Sequence, residues 1–533
     1  MELNLADLFE AVADAAGDRE AVVCGKRRLS YATLEARANR LAHVLAAAGV
    51  GAGDAVGLWL GNGTEYLEGM LAAFKLRAVP VNVNRRYTAA EAGHLLADAG
   101  TVAVVHDRDL GPAADEALRA VPVTLERGEA YESALAAAPT RRPDGNGRSG
   151  DDRYLIYTGG TTGPPKGVVW RHEDAFFSAF GGGNLGGEPV ESPGELAARA
   201  AAGGGGRCLV GGPLGHAAGQ WLAFATLFMG GTVLLLGGVA ASPEAVLDQA
   251  AGERATTVVL VGEAMAWPVV DALATAPGRW DLSALCTVLS GGAALAPATK
   301  AALVDLLAGA VVVDVLGASE TGGEAYALEG PGAISPVGGR FQPGSRTAVL
   351  GDDLRPLAPG SASVGRVARR GRVPLGYHRD AERTAASFPT VDGERWALSG
   401  DLARVESDGT VVLLGRAETS IHTGGEKVHP EEVEAAVRAH PAVADAVVVG
   451  VPDTRWGERV TAVVASRDGC AAGLTLDALA EHCRTTLAGY KVPRAVVLVD
   501  EVVRTAAGKP DYRWARARAG AASADGGVGG GRG

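Results

Sequence analysis

Cysteine is scarce and scattered in this chain. Cys24, Cys208, Cys286, Cys470 and Cys483 are five among 533 residues, an odd number with no C-x-x-C pair. That distribution argues against a disulfide framework and points to a reduced compartment. The ten histidines form no H-E-x-x-H or comparable cluster, which argues against a transition-metal site. No G-x-G-x-x-G follows an early strand, so a dinucleotide site is not expected. Basic charge is in deficit too: the formal net charge is −12, which disfavours nucleic acid as a partner and fits a soluble, cytoplasmic protein. The opening MELNLADLFEAVADAAGDRE is acidic and amphipathic, unlike a signal peptide. From Ala217 to Ser242 there is no charged residue, yet Gly230-Gly231 divides the stretch and Gln220, Thr226 and Thr232 interrupt it. A buried helix–turn–strand unit is expected there, and no membrane span.

What the chain does have is length and apolar content. With 47% hydrophobic residues it can bury a large core and should divide into more than one domain. Up to about residue 415, helical patterns alternate with short apolar runs. Leu34, Ala38, Leu41 and Leu45 recur at helical spacing before Gly49 and the run AVGLWL, and similar pairings recur at Pro243 to Leu260 and Thr299 to Val315. Such alternation predicts layered α/β structure with largely parallel sheets. After Gly415 the pattern becomes a small α+β domain: a helix from Pro430, strands at Ala446–Val451 and Val460–Ser466, a helix near Leu476–Leu487 and a last strand AVVLVD. The expected division is residues 1–415, residues 416–516, and a disordered tail over 517–533. Thr140–Gly150 and the glycine-rich Gly181–Gly206 are expected to be surface loops or locally disordered.

The segment YTGGTTGPPKGV, Tyr157 to Val168, carries the strongest chemical signal. Glycines let the backbone curl so that several N–H groups face one point, threonine hydroxyls add donors, and Lys166 brings a full positive charge. That set suits phosphate oxygens, although a glycine/threonine run can also be a plain surface turn. A P-loop has glycine directly before its lysine, and here Pro165 occupies that position. The apolar run Tyr154 to Tyr157 reads as a strand, so the loop is expected to leave the edge of a sheet.

Further segments follow in order: GPLGHAAGQW around His216, SGGAAL from Ser290, LGASETGG from Leu316, WALSGD ending at Asp401, LLGRAETSIHTGGEKVHPEEVE from Leu413, and TAAGKPDYRWA with Lys509. Together they resemble the adenylate-forming superfamily of acyl-CoA synthetases, luciferases and nonribosomal adenylation domains, over nearly the whole chain. The loop, TGGEKVHPEEVE and GKPDYRWA look most like bacterial acyl-CoA synthetases for fatty, steroid side-chain and aryl acids. The resemblance implies a large N-terminal domain of layered α/β sheets plus a barrel-like subdomain, with a small mobile α+β C-terminal domain. It implies an enzyme that joins a carboxylic acid to the α-phosphate of ATP and passes the acyl group to CoA, with Mg²⁺ as cofactor. A carboxylate is a poor electrophile and both reactants are anions, so such a site must neutralise charge.

Carried over by position, the resemblance gives Thr158, Thr161, Thr162, Gly163 and Lys166 to the β- and γ-phosphates, and Ser319 to a phosphate. Glu320 would bind Mg²⁺. Gly292, Ala293 and Ala294 would line the adenine with Leu316 beside them, and Asp401 and Arg416 would hold the ribose and α-phosphate. Lys509 would reach the carboxylate and the bridging oxygen, His216 would gate between acyl and thiol tunnels, and Thr423, Gly424 and Gly425 would border the pantetheine arm. Trp221, Met265, Trp267, Ala318, Gly322 and Gly323 are the expected acyl lining, mostly apolar, with no acid placed to hold an amino acid's ammonium.

Several positions depart from the family's pattern. Leu316 replaces a frequent aromatic ring against adenine, Ala294 a frequent proline, and Ser319 the usual threonine. Glu418 stands at the pivot, with Thr419 and His422 near it. The set therefore also allows a same-fold enzyme with another acceptor or oxyanion: carrier-protein loading, amide formation, or nitrite activation for diazotisation of an aryl amine. The partner expected is a small carboxylic acid, and a homodimer is left open.

Overall fold

The computed structural model describes residues 3–158, 165–237, 242–291, 295–307, 309–332, 334–335, 339–416, 419, 421–423, 426–453, 456–467, 474–487, 489–505 and 509–524. Its contacts divide the chain into two compact units: Met1–Leu295 with Ala301–Ile334 and Arg369–Ala397, and Ala296–Lys300 with Ser335–Ala368 and Leu398–Gly533.

The first unit holds two twisted sheets. One runs in the order Arg27–Ser30, Glu20–Cys24, Thr232–Leu235, Arg207–Val210, Thr257–Leu260, Thr287–Gly291, Val311–Ala318 and Gly322–Glu329. Its interior pairs are parallel and its two outer hairpins antiparallel. The other runs Gly376–Tyr377, Lys166–Arg171, Arg153–Thr158, Val79–Asn82, Ala55–Trp59, Thr101–His106 and Val123–Glu126. It is parallel from Arg153–Thr158 onward, as the α/β alternation predicts. The helix Thr64–Lys75 is buried at every residue, and it shares one core with residues of both sheets, among them Val22, Leu58, Ile156 and Val233. The helix Leu5–Ala16, capped by the Asn4 side chain on the Ala6 N–H, joins the same core. Lys75 is enclosed there only because Glu10 (2.6 Å) and Glu35 (2.8 Å) take its ammonium, since a lone buried charge would be far too costly.

Ala217–Phe228 is a helix and Thr232–Leu235 a fully buried strand, the helix–turn–strand unit expected. Among the described residues no helix is long and apolar enough to cross a membrane. Thr140–Gly150 lies in an exposed loop, held where Arg148 meets Asp7 (2.8 Å) and Glu10 (3.1 Å). The expectation for Gly181–Gly206 fails: the helix Pro193–Ala202 lies inside it. Ser192 caps that helix on the Glu195 N–H, Pro193 starts it, and Leu196 and Ala200 enter the core. The glycine density masked an ordinary N-terminal signal.

The strands Thr347–Leu350, Gly365–Arg370, Glu394–Val405, Val411–Arg416 and Arg340–Pro343 neighbour one another in that order, and Val411–Arg416 is antiparallel to both Glu394–Val405 and Arg340–Pro343. The expected division placed all residues up to 415 together, whereas contacts group residues 335–368 and 398–415 with the C-terminal residues. Val411–Arg416 meets the helix Pro430–Arg438, so close that a Cβ on Gly415 (φ +116°) would overlap the Glu431 carboxylate.

The C-terminal part is a sheet of Ile421–Thr423, Glu426–Val428, Val443–Asp453, Gly457–Ser466 and Ala495–Val499. Its long valine run is explained by burial on both faces. Ala446 and Val448 pack with Val433, Val437 and Leu479 on one side. On the other side Val447, Val449 and Val451 pack with Tyr512, Ala515 and Ala519. Burying each valine is worth roughly 1.5–3 kcal/mol. This second face corrects the expected tail: the helix Tyr512–Ala524 continues well past residue 516, with Ala519 fully buried.

His172 titrates against folding. Its ring is fully buried edge-on against Phe74 at 4.9 Å, Nδ1 accepts from the Leu5 N–H at 3.4 Å, and burial pushes its pKa down to about 3 from 6.5. The unfolded chain takes up this proton as pH falls below about 6.5, while the fold refuses it until about 3, so stability is lost on acidification. We expect His172→Asn to reduce the loss of unfolding free energy between pH 6.5 and 5 by about 2 kcal/mol relative to the unsubstituted protein, measured by urea titration. An unchanged pH slope would remove His172 as the cause.

Candidate active site

Of the residues expected to hold phosphate in the Tyr157–Val168 segment, those that are described sit on strands. Thr158 ends Arg153–Thr158, Lys166 begins Lys166–Arg171, and the two are direct partners across the antiparallel ladder. Thr161, Thr162 and Gly163 lie outside the described residues. The loop does not leave a sheet edge: its first strand has Val79–Asn82 on one side and Lys166–Arg171 on the other.

Two buried or partly buried asparagines organise the surroundings. Asn82 donates Nδ2 to the carbonyls of Tyr157 (2.9 Å) and Gly215 (2.8 Å), and its Oδ1 accepts from the Tyr157 N–H (2.7 Å). Asn62 donates to the Gly212 carbonyl (3.0 Å) and accepts from the Leu214 N–H (2.8 Å). The loop bearing His216 is thereby fixed to the strand that ends at Thr158, and His216 itself is half-buried at the N-cap of Ala217–Phe228. On the other flank the Tyr157 hydroxyl donates to Asp98 at 2.5 Å. Burial, then that carboxylate, pushes the phenol far above its ordinary value, so it stays a donor.

Leu316, Ser319 and Glu320 lie on and just after Val311–Ala318, which returns as Gly322–Glu329. Thr321 ties the turn, its hydroxyl accepting from the Ala318 N–H at 3.1 Å. The Ser319 carbonyl accepts from Trp170 Nε1 at 2.9 Å, so the strand that begins at Lys166 is joined to the turn that carries Glu320. Leu316 is buried. Gly291, the last residue of its strand, is paired with Val315, the residue before Leu316. Gly292, Ala293 and Ala294 themselves lie outside the described residues. These strands are parallel neighbours meeting at their carboxyl ends, where α/β sheets place their ligands.

Glu320 is half-buried. The Tyr377 hydroxyl donates to its Oε1 at 2.9 Å, and its Oε2 has no partner among the described residues. That arrangement fits Mg²⁺, a hard cation bound through one or two carboxylates with phosphates and waters completing the octahedron. Trp221 donates from Nε1 to the Tyr154 hydroxyl (3.2 Å) and meets Trp170 edge-on at 6.3 Å, an aromatic wall beside the same turn.

In the second unit, Asp401 and Arg416 are direct partners across antiparallel strands. Asp401 is buried, and its N–H donates to the Ser399 hydroxyl at 3.3 Å. Two residues fifteen apart in sequence are thus brought side by side. Lys509 is half-buried just before Pro510, within the loop closed by a bridge between Arg504 and Pro510, its carbonyl accepting from the Thr505 N–H at 2.7 Å. Thr423 is buried and paired with Gly457; Glu418, Gly424 and Gly425 lie outside the described residues. Asn82, Trp170 and Tyr377 went unremarked in the sequence. Asn82 had one signal, a polar residue closing the otherwise apolar run VPVN; the other two had none.

The sequence pattern of the AMP-binding enzymes matches residues 9–378, and that of the AMP-binding enzyme C-terminal domain matches residues 432–509. This chain is an AMP-binding enzyme. Within that family, which uses ATP and CoA, it belongs with the acid–CoA ligases. It is 43% identical to the 3-oxocholest-4-en-26-oate–CoA ligase of Rhodococcus rhodochrous, over 98% of this chain and 97% of that one. It is 42% identical to the medium/long-chain-fatty-acid–CoA/3-oxocholest-4-en-26-oate–CoA ligase of Mycolicibacterium smegmatis, over 97% and 96%. Among solved structures, the ATP-bound MatB of Rhodopseudomonas palustris superposes with a TM-score of 0.80 at 28% identity, covering 97% of this chain and 99% of that one. The AMP-binding enzyme therefore has the adenylate-forming fold that its motifs led us to expect.

Proposed function

We propose that this AMP-binding enzyme converts an apolar carboxylic acid, of the medium- or long-chain acyl, steroid side-chain or aryl kind, to its CoA thioester through an acyl adenylate. The observation that carries the reading is the Trp170–Ser319 hydrogen bond, because it ties the Lys166 strand to the turn that presents Glu320. A polyphosphate held at Lys166 thus lies in the same frame as a hard carboxylate. The relatives support the acid class: those named above act on steroid side-chain and fatty acids, and the aromatic wall of Trp170, Trp221 and Tyr154 suits apolar matter.

ATP and CoA are consumed and so are substrates. Thr158, Thr161, Thr162, Gly163 and Lys166 hold the β- and γ-phosphates, and Ser319 adds a hydroxyl. Gly292, Ala293, Ala294 and Leu316 take the adenine, without a stacking ring. Asp401 accepts from the ribose hydroxyls and Arg416 supports the ribose and α-phosphate. Glu320 holds Mg²⁺, which when bound neutralises charge on the polyphosphate. Lys509 supplies positive charge to the attacking carboxylate and the bridging oxygen, where the acid oxygen forms its bond to the α-phosphorus and pyrophosphate leaves. His216 then gates the approach of the thiol, with Thr423, Gly424 and Gly425 beside the pantetheine arm. The thiol sulfur takes the acyl carbon and AMP departs.

The test is a panel of fatty, steroid and aryl acids incubated with ATP, Mg²⁺ and CoA. AMP, pyrophosphate and thioester should appear in equal amounts with at least one acid. Release of inorganic phosphate alone, or AMP only with an amine or nitrite in place of CoA, would overturn the reading. A sharper check is Asp401→Ala, which removes the carboxylate that accepts from the ribose hydroxyls. The KM for ATP should rise about tenfold or more with the KM for the acid unchanged, the loss expected for hydrogen bonds to a charged group. An unaltered KM for ATP would remove the ribose assignment.

A further inference from the structure

Tyr377 belongs to no motif read in the sequence, yet the fold spends several contacts on fixing it. Its backbone is a strand partner of Val168, with Leu375 donating to the Val169 carbonyl and His378 to the Gly167 carbonyl, both at 2.7 Å. The Tyr377 N–H donates to the Thr384 hydroxyl at 2.9 Å, and that hydroxyl donates to the Asp380 carbonyl at 2.6 Å. The ring meets Phe388 edge-on at 5.7 Å and lies under the Arg383 guanidinium at 5.7 Å. Backbone and ring are both constrained, so the hydroxyl is a preset donor, and it donates to Glu320 Oε1 at 2.9 Å.

We propose that Tyr377 is a positioning residue that sets the Glu320 carboxylate for a divalent cation carried by the nucleotide. This rests on the reading of Glu320 as the metal-holding residue. A glutamate side chain has three torsions to order when it binds a cation. A hydrogen bond to one oxygen settles the carboxylate plane in advance and leaves the second oxygen for the metal. Partners of this kind typically govern metal affinity tenfold or more. Because Tyr377 pairs with the strand that begins at Lys166, the same ribbon that holds the phosphate lysine also aims the metal carboxylate. The two anion-handling groups are set by one piece of sheet, so they cannot drift apart independently.

The test is Tyr377→Phe, which keeps the ring and its packing and removes only the hydroxyl. Mn²⁺ binding in the presence of a non-hydrolysable ATP analogue, followed by electron paramagnetic resonance, should weaken about tenfold. Affinity for the same analogue in EDTA should be unchanged, and the Mg²⁺ concentration for half-maximal rate should rise by the same factor with kcat regained at saturation. Glu320→Gln, measured alongside, should lose Mn²⁺ binding more completely. If Glu320→Gln weakens Mn²⁺ binding and Tyr377→Phe leaves it unchanged, the role given to Tyr377 is overturned while that of Glu320 stands. If Glu320→Gln binds Mn²⁺ normally, the reading of Glu320 itself falls. Loss of metal-free analogue affinity in Tyr377→Phe would mark a general packing defect and equally overturn the proposal.

Discussion

Replacing Lys509 with alanine is expected to slow adenylate formation about 100- to 1,000-fold, roughly 3–4 kcal/mol of transition-state stabilisation. A supplied acyl adenylate should still pass to CoA at close to the original rate. The asymmetry follows from the charges. In the first half-reaction an anionic carboxylate attacks a polyanionic phosphate, and negative charge accumulates on the bridging oxygen as its bond to the α-phosphorus lengthens. A fixed ammonium is worth most at that moment. In the second half-reaction pyrophosphate has gone and a thiol attacks an acyl carbon, so a carboxylate and a polyphosphate no longer have to be brought together. The substitution should be structurally mild, because the local fold at Lys509 is held by main-chain bonds, with the Thr505 N–H on the Lys509 carbonyl and the bridge between Arg504 and Pro510. Rapid-quench measurement of AMP-ester formation and a separate thiolation assay distinguish the steps. Equal losses in both would show that Lys509 does something else.

The second large effect is expected at two adjacent glycines with opposite outcomes. Gly322 has φ +75°, and a Cβ there would collide with the backbone carbonyl of Ser178. Neither partner can swing away, since one atom is main chain and the other is fixed by the hairpin. Gly322→Ala should therefore cost about 2–4 kcal/mol, combining left-handed strain with overpacking. It should also remove most activity, because the same turn presents Glu320. At Gly323 a Cβ meets nothing within 4 Å, so Gly323→Ala should leave the thermal midpoint unchanged. Melting curves and steady-state rates of the two variants, measured together, check the contrast. A stable, active Gly322→Ala would refute the close approach of the hairpin to Ser178.

The residues proposed to carry the chemistry stood out in the sequence because phosphate and carboxylate chemistry favours particular groups. Glycine, threonine and lysine in close succession suit a phosphate cradle, and a hard cation favours carboxylate oxygen. The layer order was legible for a similar reason, since alternating 3.6- and 2-residue periods leave parallel sheets as the compact solution. Less legible were elements whose signal was diluted. The helix Pro193–Ala202 was hidden by surrounding glycines, and the end of Tyr512–Ala524 by a composition of small residues that only a second sheet face can bury.

By itself, the sequence determined which chemical groups are available, since the kinds of donor, acceptor and charge a side chain can offer belong to the residue, while the fold shifts their acidity, as at His172 and Tyr157. The tertiary structure alone decided the pairings. Thr158 faces Lys166 and Asp401 faces Arg416 because antiparallel register sets them opposite. Asn82 reaches Gly215, Trp170 reaches Ser319 and Tyr377 reaches Glu320 because separate strands pack side by side. Such contacts join residues 57 to 149 positions apart, and over those separations no local period or propensity records which side chain will meet which.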